Sequence, residues 1–140
     1  MNAVQVFNKK TEEISTQDNK IIRAALKSTT LESGMACISL FGRLDVLGVQ
    51  QIESSFAMIT ATQLKSVVID LSRLELMSSI GLGMLISNAN MLSSQGKRMV
   101  VLNPQKRVER VIRMAGINAI LPIAYSVRDA FEIIRHAEAA

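Results

Sequence analysis

From Lys20 onward, short apolar runs alternate with stretches in which apolar residues recur every three or four positions. Runs of the first kind predict strands and stretches of the second kind predict amphipathic helices. Ile21–Thr30 and Met35–Phe41 flank Glu32-Ser33-Gly34, the pattern of a hairpin. Gly42-Arg43-Leu44-Asp45 follows, and Asp45 is placed to cap a helix by accepting a hydrogen bond from its free N–H groups. In that helix Val49, Ile52, Phe56 and Ile59 form one buried stripe. Ser66–Leu71, with Val67, Val68 and Ile69 in a row, predicts a strand covered on both faces. A loop over Ser72–Met77 leads to a second helix, about residues 80–94, capped by Ser79. Leu82, Leu85, Ile86, Ala89 and Leu92 point inward from it, and Gly96 is its stop.

Arg98–Asn103, carrying Met99-Val100-Val101-Leu102, predicts another strand. Asn103-Pro104 reads as a helix start, lined by Val108, Val111, Ile112 and Ala115 and ended by Gly116. Ile120–Ile123 predicts a short strand. Ser126 with Asp129 three residues on resembles a capping box and opens a last helix through about residue 137, inward at Val127, Ala130, Ile134 and Ala137. The order ββαβαβαβα predicts a single α/β domain over residues 20–140, with a mixed, mostly parallel sheet and about four helices. Residues 1–19, polar and mixed in charge, read as an N-terminal extension with room for an edge strand at 3–7.

Composition removes much chemistry. One cysteine, Cys37, excludes an internal disulfide. One histidine, His136, beside a single thiol leaves no usual zinc set, so no metal and no cofactor is expected. Four Phe, one Tyr and no Trp make no stacking platform for single strands. Sixteen Lys and Arg against twelve Asp and Glu leave a net charge of +4, too small alone to imply nucleic acid. The longest stretch without an ionisable group, Leu76–Gly96, is interrupted by Ser78, Ser79, Ser87, Asn88, Asn90, Ser93, Ser94 and Gln95, so no membrane span is expected. With no signal-peptide core at the N-terminus either, the reading points to the cytoplasm.

Glu75-Leu76-Met77-Ser78-Ser79-Ile80-Gly81-Leu82-Gly83 sits at a strand-to-helix junction, where ligand sites of α/β sheets concentrate. Three enzyme readings fail there. A dinucleotide fingerprint needs glycine where Ile86 stands, a nucleophile elbow needs glycine where Met77 stands, and Gly96-Lys97 is followed by Arg98 and makes no phosphate loop. Ser79 has no base to activate it, but a partner that brings its own catalytic groups can phosphorylate it. Its plain reading is a helix cap.

Gly42-Arg43-Leu44-Asp45, then Met77-Ser78-Ser79-Ile80-Gly81-Leu82-Gly83, then Gly96 before a strand, resemble the STAS domain, and within it the bacterial anti-sigma-factor antagonists. The resemblance covers about residues 20–137. The family signature runs Asp-Ser-Ser/Thr/Ala-Gly-Leu-Gly. It implies that Ser79 is the phosphoacceptor, that Ser78 stands where the signature has aspartate, that Ile80 fills the variable position, and that Gly81 and Gly83 match. It also implies a STAS fold and a partner-switching role without catalysis by the chain itself. The unphosphorylated antagonist binds an anti-sigma factor that is a serine kinase, phosphorylation of Ser79 releases it, and a metal-dependent serine/threonine phosphatase resets it. By the family pattern Asp45 lies near the acceptor, against its plain reading as a helix cap.

Leu76, Met77, Ile80, Leu82 and Met84 are expected to offer an uncharged contact surface for that partner. Lys97, Arg98, Lys106, Arg107, Arg110 and Arg113 form a basic run with Glu109 as the lone acid between 97 and 113. This is either a solvated helix face or, through residues such as Arg107 and Arg110, a landing site for an acidic kinase surface. Nucleic acid is a weaker fit, for want of a recognition motif. The alternative for the whole chain is a constitutive STAS scaffold in a lipid-transport ATPase or stressosome-like complex. A small-ligand or nucleotide module at the start of helix 80–94 ranks last.

Overall fold

A computed structural model of the chain describes residues 21–139; the extension expected over 1–19 and the edge strand at 3–7 lie outside the described residues. The element order is β1 (Ala24–Thr30), β2 (Ala36–Leu44), α1 (Val46–Ala61), β3 (Val67–Met77), α2 (Ser79–Ser94), β4 (Met99–Leu102), α3 (Lys106–Met114), β5 (Ile123–Ala124) and α4 (Val127–Ala139). The strands lie in the order β1-β2-β3-β4-β5. β1 and β2 form the antiparallel hairpin and the remaining neighbours are parallel, giving the mixed α/β sheet expected.

Two clusters cover the sheet. On one face Leu26, Ile38, Leu40, Val67, Ile69 and Val101 pack under the stripes of α1, α2 and α3, with Ile52, Phe56, Leu85, Leu92, Val108 and Ile112 buried. On the other face Cys37, Val68, Val100 and Leu102 meet Ala130 and Ile134 of α4. Adjacent residues Val67, Val68 and Ile69 thus enter opposite layers, which is why this strand reads as an unbroken apolar run. Burial in the second layer pushes the Cys37 thiol up to about 11, so it stays protonated and unreactive at neutral pH.

Several boundaries differ from the sequence reading. The expected loop Ser72–Met77 is the second half of β3. Its register against β2 slips twice: Ser39 pairs with Asp70 but Phe41 with Arg73, and Gly42 pairs with Leu74 but Arg43 with Leu76. Each slip puts one extra residue on β3, which breaks the period-two alternation by which a strand is recognised. β2 likewise runs on through Gly42-Arg43-Leu44. Asn103 does not cap α3. It takes a left-handed φ of 51° while its N–H bonds the Ala124 carbonyl at 2.8 Å, and α3 starts after Gln105, which makes no side-chain cap bond. β5 shrinks to Ile123–Ala124 because Ile120 and Leu121 fold back on the Ile117 carbonyl. Val127, expected inward, is exposed at the first position of α4, while Ala130 and Ile134 are buried as expected.

The start of α1 is held by contact with β1 and β2. A Cβ on Gly48 would lie 1.9 Å from the Arg43 carbonyl oxygen, whereas one on Gly83, mid-helix in α2, would meet nothing within 4 Å. Gly48→Ala is therefore expected to cost about 3 kcal/mol through backbone displacement, and Gly83→Ala to be neutral or to stabilise by up to about 1 kcal/mol through helix propensity. Urea denaturation of the two variants checks the contrast.

Candidate functional site

The carboxyl ends of β2 and β3 emerge side by side, and each feeds a helix. Their junctions are joined at one acceptor. The Leu44 carbonyl takes the Ser78 N–H at 3.0 Å and the Ser78 hydroxyl at 2.6 Å, and the same hydroxyl accepts from the Gly81 N–H at 3.2 Å. Ser78, at extended φ and ψ of −83° and 173°, is therefore the N-cap of α2. This corrects the sequence reading, which gave the cap to Ser79. Gly81 completes the joint, since a Cβ there would stand 2.8 Å from the Leu44 Cβ and 2.9 Å from its carbonyl oxygen.

Ser79 is the first residue of α2 and is exposed. The capping bond belongs to Ser78, so the Ser79 hydroxyl is not needed to satisfy the helix end. Ser78 is half-buried and its hydroxyl is engaged both as donor and as acceptor. Of the two adjacent serines, the structure leaves Ser79 accessible to a visiting enzyme. A phosphate on it would sit among the first N–H groups of a 16-residue helix, where partial positive charge accumulates.

Asp45 starts the neighbouring helix. Its Oδ1 accepts from the Gly48 N–H at 2.9 Å and its Oδ2 pairs with Arg23. The Arg23 hydrogen bond first, then the Gly48 N–H and the charge of Arg43, hold this carboxyl below the usual carboxylate range. Asp45 adjoins the residue that Ser78 grips, so the structure brings Asp45, Ser78 and Gly81 together around Leu44. The plain reading of Asp45 as the cap of α1 is what the structure shows.

The expected contact surface needs correction. Met77, Leu82 and Met84 are buried in the main cluster and Leu76 is only half-exposed. The apolar side chains that do face solvent at this end are Val46 (50%) and Leu47 (57%) in the first turn of α1 and Ile80 (48%) in the first turn of α2. Val46 and Leu47 were missed. A signal was present for Leu47, which like Ile80 lies two residues before a buried position of its own helix, off the stripe, but not for Val46, which is three before Val49. Beside them a groove of about 440 Å³ runs between α1 and α2, lined by Val49, Glu53 and Ala57 on one side and Ile80, Met84 and Ser87 on the other. The buried Thr60 hydroxyl, 2.9 Å from Asn88 Oδ1, ties the two helices together at one end of it. Gly83 lies on the exposed face of α2.

Arg107 and Arg110 are exposed on α3, as expected, and His136 is an exposed residue near the end of α4. Among the described residues no group of three or more His, Cys, Asp or Glu could hold a metal ion, and no helix is long and apolar enough to cross a membrane.

Ser78→Ala should cost about 1–2 kcal/mol, one cap together with a bond to a strand-end carbonyl, whereas Ser79→Ala should stay within about 0.5 kcal/mol of the parent chain in the same denaturation assay. Because Asp45 has a lowered pKa in the folded state, the stability it contributes is complete above its unfolded value of about 3.9. That contribution disappears as pH falls through the lower folded value. Asp45→Asn should flatten this part of the acid limb in a pH series of urea midpoints.

Comparison with known proteins bears on the same residues. The family model for the STAS domain matches residues 27–130. An anti-sigma F factor antagonist of Paenibacillus polymyxa is 28% identical over 95 residues, 64% of this chain and 78% of that protein. The anti-sigma factor antagonist SpoIIAA in its unphosphorylated form superposes with a TM-score of 0.64 at 24% identity, covering 80% of this chain and 97% of that one. An anti-sigma factor antagonist from Mycobacterium paratuberculosis gives 0.71 at 22% identity, covering 80% of this chain and 94% of that one.

Proposed function

This chain belongs to the STAS domain family, and from that premise we propose that it is an anti-sigma-factor antagonist, switched between partners by phosphorylation of Ser79. Unphosphorylated, it binds an anti-sigma factor that is also a serine kinase; phosphorylated, it is released; a metal-dependent serine/threonine phosphatase restores it. The chain catalyses nothing on this reading and works in the cytoplasm, with residues 20–140 as the STAS unit and 1–19 as an extension. The relatives described as anti-sigma factor antagonists support the role.

The observation that carries the proposal is the division of labour between the two serines. Ser78 holds the fold and Ser79, exposed beside it, is free for modification. Phosphorylation adds about −1.5 to −2 charges. The helix start accommodates them, so the domain keeps its shape. A partner seated on Val46, Leu47 and Ile80 meets a strongly hydrated dianion inside an apolar contact, and of the two arginines whose charge reaches Asp45, Arg23 is already paired with it. Desolvating that dianion opposes docking.

One feature favours the constitutive scaffold instead: Ser78 replaces the signature aspartate and spends its hydroxyl on the Leu44 joint. Incubation with ATP and a serine-kinase anti-sigma factor from the same genome separates the two. The switch predicts one phosphate, mapped to Ser79 and not Ser78, and loss of the complex. Ser79→Asp should weaken kinase binding at least about 100-fold, or about 2.7 kcal/mol, and Ser79→Ala should bind and no longer be released by ATP. No phosphate on Ser79, or equal binding by wild type and Ser79→Asp, overturns the switch in favour of the scaffold.

A further inference from the structure

Six cations lie between residues 97 and 113, and the fold uses three of them. Lys97 donates to the Gln63 carbonyl at 2.7 Å and Arg98 to the Ala119 carbonyl. Arg113 binds Glu109 Oε2 and the Tyr125 hydroxyl, both at 2.6 Å, and Tyr125 donates to the same Glu109 oxygen at 2.7 Å. That triad neutralises the lone acid of the stretch, and the two hydrogen bonds hold its carboxyl below the usual range.

Lys106, Arg107 and Arg110 remain, exposed and without an acidic partner among the described residues. Lys106 and Arg110 share a face at i,i+4 and repel. Lys106 and Arg107 also occupy the first turn of α3, behind a residue that makes no side-chain cap bond, where the helix dipole disfavours cations. Packing does not require them either, since α3 is seated by Val108 and Ile112. These charges work against their own helix, and such local conflict marks a surface kept for another purpose. Together with Glu109, Arg113 and Met114, which is 81% exposed, Lys106 and Arg110 line a shallow hollow of about 570 Å³.

We infer that the Lys106–Arg107–Arg110 face of α3 docks an acidic segment of the same partner that Ser79 regulates. This rests on the switch proposed above and adds a second contact, on the same layer of helices as α2. Protein is the favoured occupant. One aromatic, Tyr125, stands beside the hollow with its hydroxyl held by Arg113 and Glu109, too little for a base-stacking platform, and Met114 is the only large apolar side chain lining it, too little to enter a lipid surface. A cationic face meeting an acidic one acts chiefly on the association rate.

The test compares the full chain with Lys106→Gln/Arg107→Gln/Arg110→Gln, all at exposed positions, by stopped-flow association with the same serine-kinase anti-sigma factor at low and at high salt. The neutral variant is expected to associate about tenfold more slowly at low salt, with dissociation little changed, and to match wild type at high salt. An unchanged rate and salt slope overturns the inference, as does a variant that loses RNA or anionic-vesicle binding while its kinase kinetics stay at wild-type values. Failure of the switch is read separately, from Ser79→Asp binding the kinase like wild type.

Discussion

The carbonyl of Leu44 is where two strand ends and two helix starts become one unit. It accepts both the amide and the hydroxyl of Ser78, while Gly81 lies flush against the same residue and Asp45, next in the chain, begins α1. No buried charge is involved. The joint is made of short neutral hydrogen bonds and the absence of a Cβ. Its effect is geometric: the first turns of α1 and α2 are fixed relative to each other, so Val46, Leu47, Ser79 and Ile80 stand exposed on joined elements at the carboxyl end of the sheet. A recognition surface built on such elements needs little ordering when a partner arrives.

That arrangement gives the departure from the family signature a physical meaning. A carboxylate at position 78 could accept from the Gly81 N–H but has no proton to give the Leu44 carbonyl. Serine does both. The residue that differs from the signature is thus not idle; it exchanges a charge beside the acceptor for a tighter weld beneath it. Any kinase acting on Ser79 must orient the hydroxyl with its own groups, because Asp45 is committed to Arg23 and to the Gly48 amide.

The helices and the succession of elements along the chain were legible because each stripe and each apolar run has one dominant period: Val49, Ile52, Phe56 and Ile59 are all buried, as their spacing demands. What the sequence hid follows from interruptions of period. Two extra residues in β3 erased its alternation, so Ser72–Met77 read as a loop and Met77 was assigned to the surface. The cap of α2 was ambiguous by one residue because Ser78 and Ser79 have the same capping chemistry; only the position of Leu44, 34 residues earlier, decides between them. Asn103 had the chemistry of a cap but was needed for a left-handed turn off a four-residue strand. The exposed pair Val46-Leu47 was visible in part, since Leu47 falls off its stripe, yet nothing local says that this end of the helix projects past the sheet.

On the proposed reading, attraction and release are separate in both place and range. The free cations of α3 act through solvent over about 8 Å at physiological salt, which suits encounter and orientation. The phosphate acts through desolvation, which is felt only at contact. If one patch did both jobs, adding a dianion to a cationic surface would create a favourable internal pair and blunt the signal. Keeping Lys106, Arg107 and Arg110 on α3 while Ser79 sits amid uncharged side chains on α2 avoids that cancellation. The absence of any ionisable group in the whole of α2 is then a requirement of the switch. An added lysine in its first turn would neutralise part of the phosphate, and the released state would lose the very repulsion that defines it.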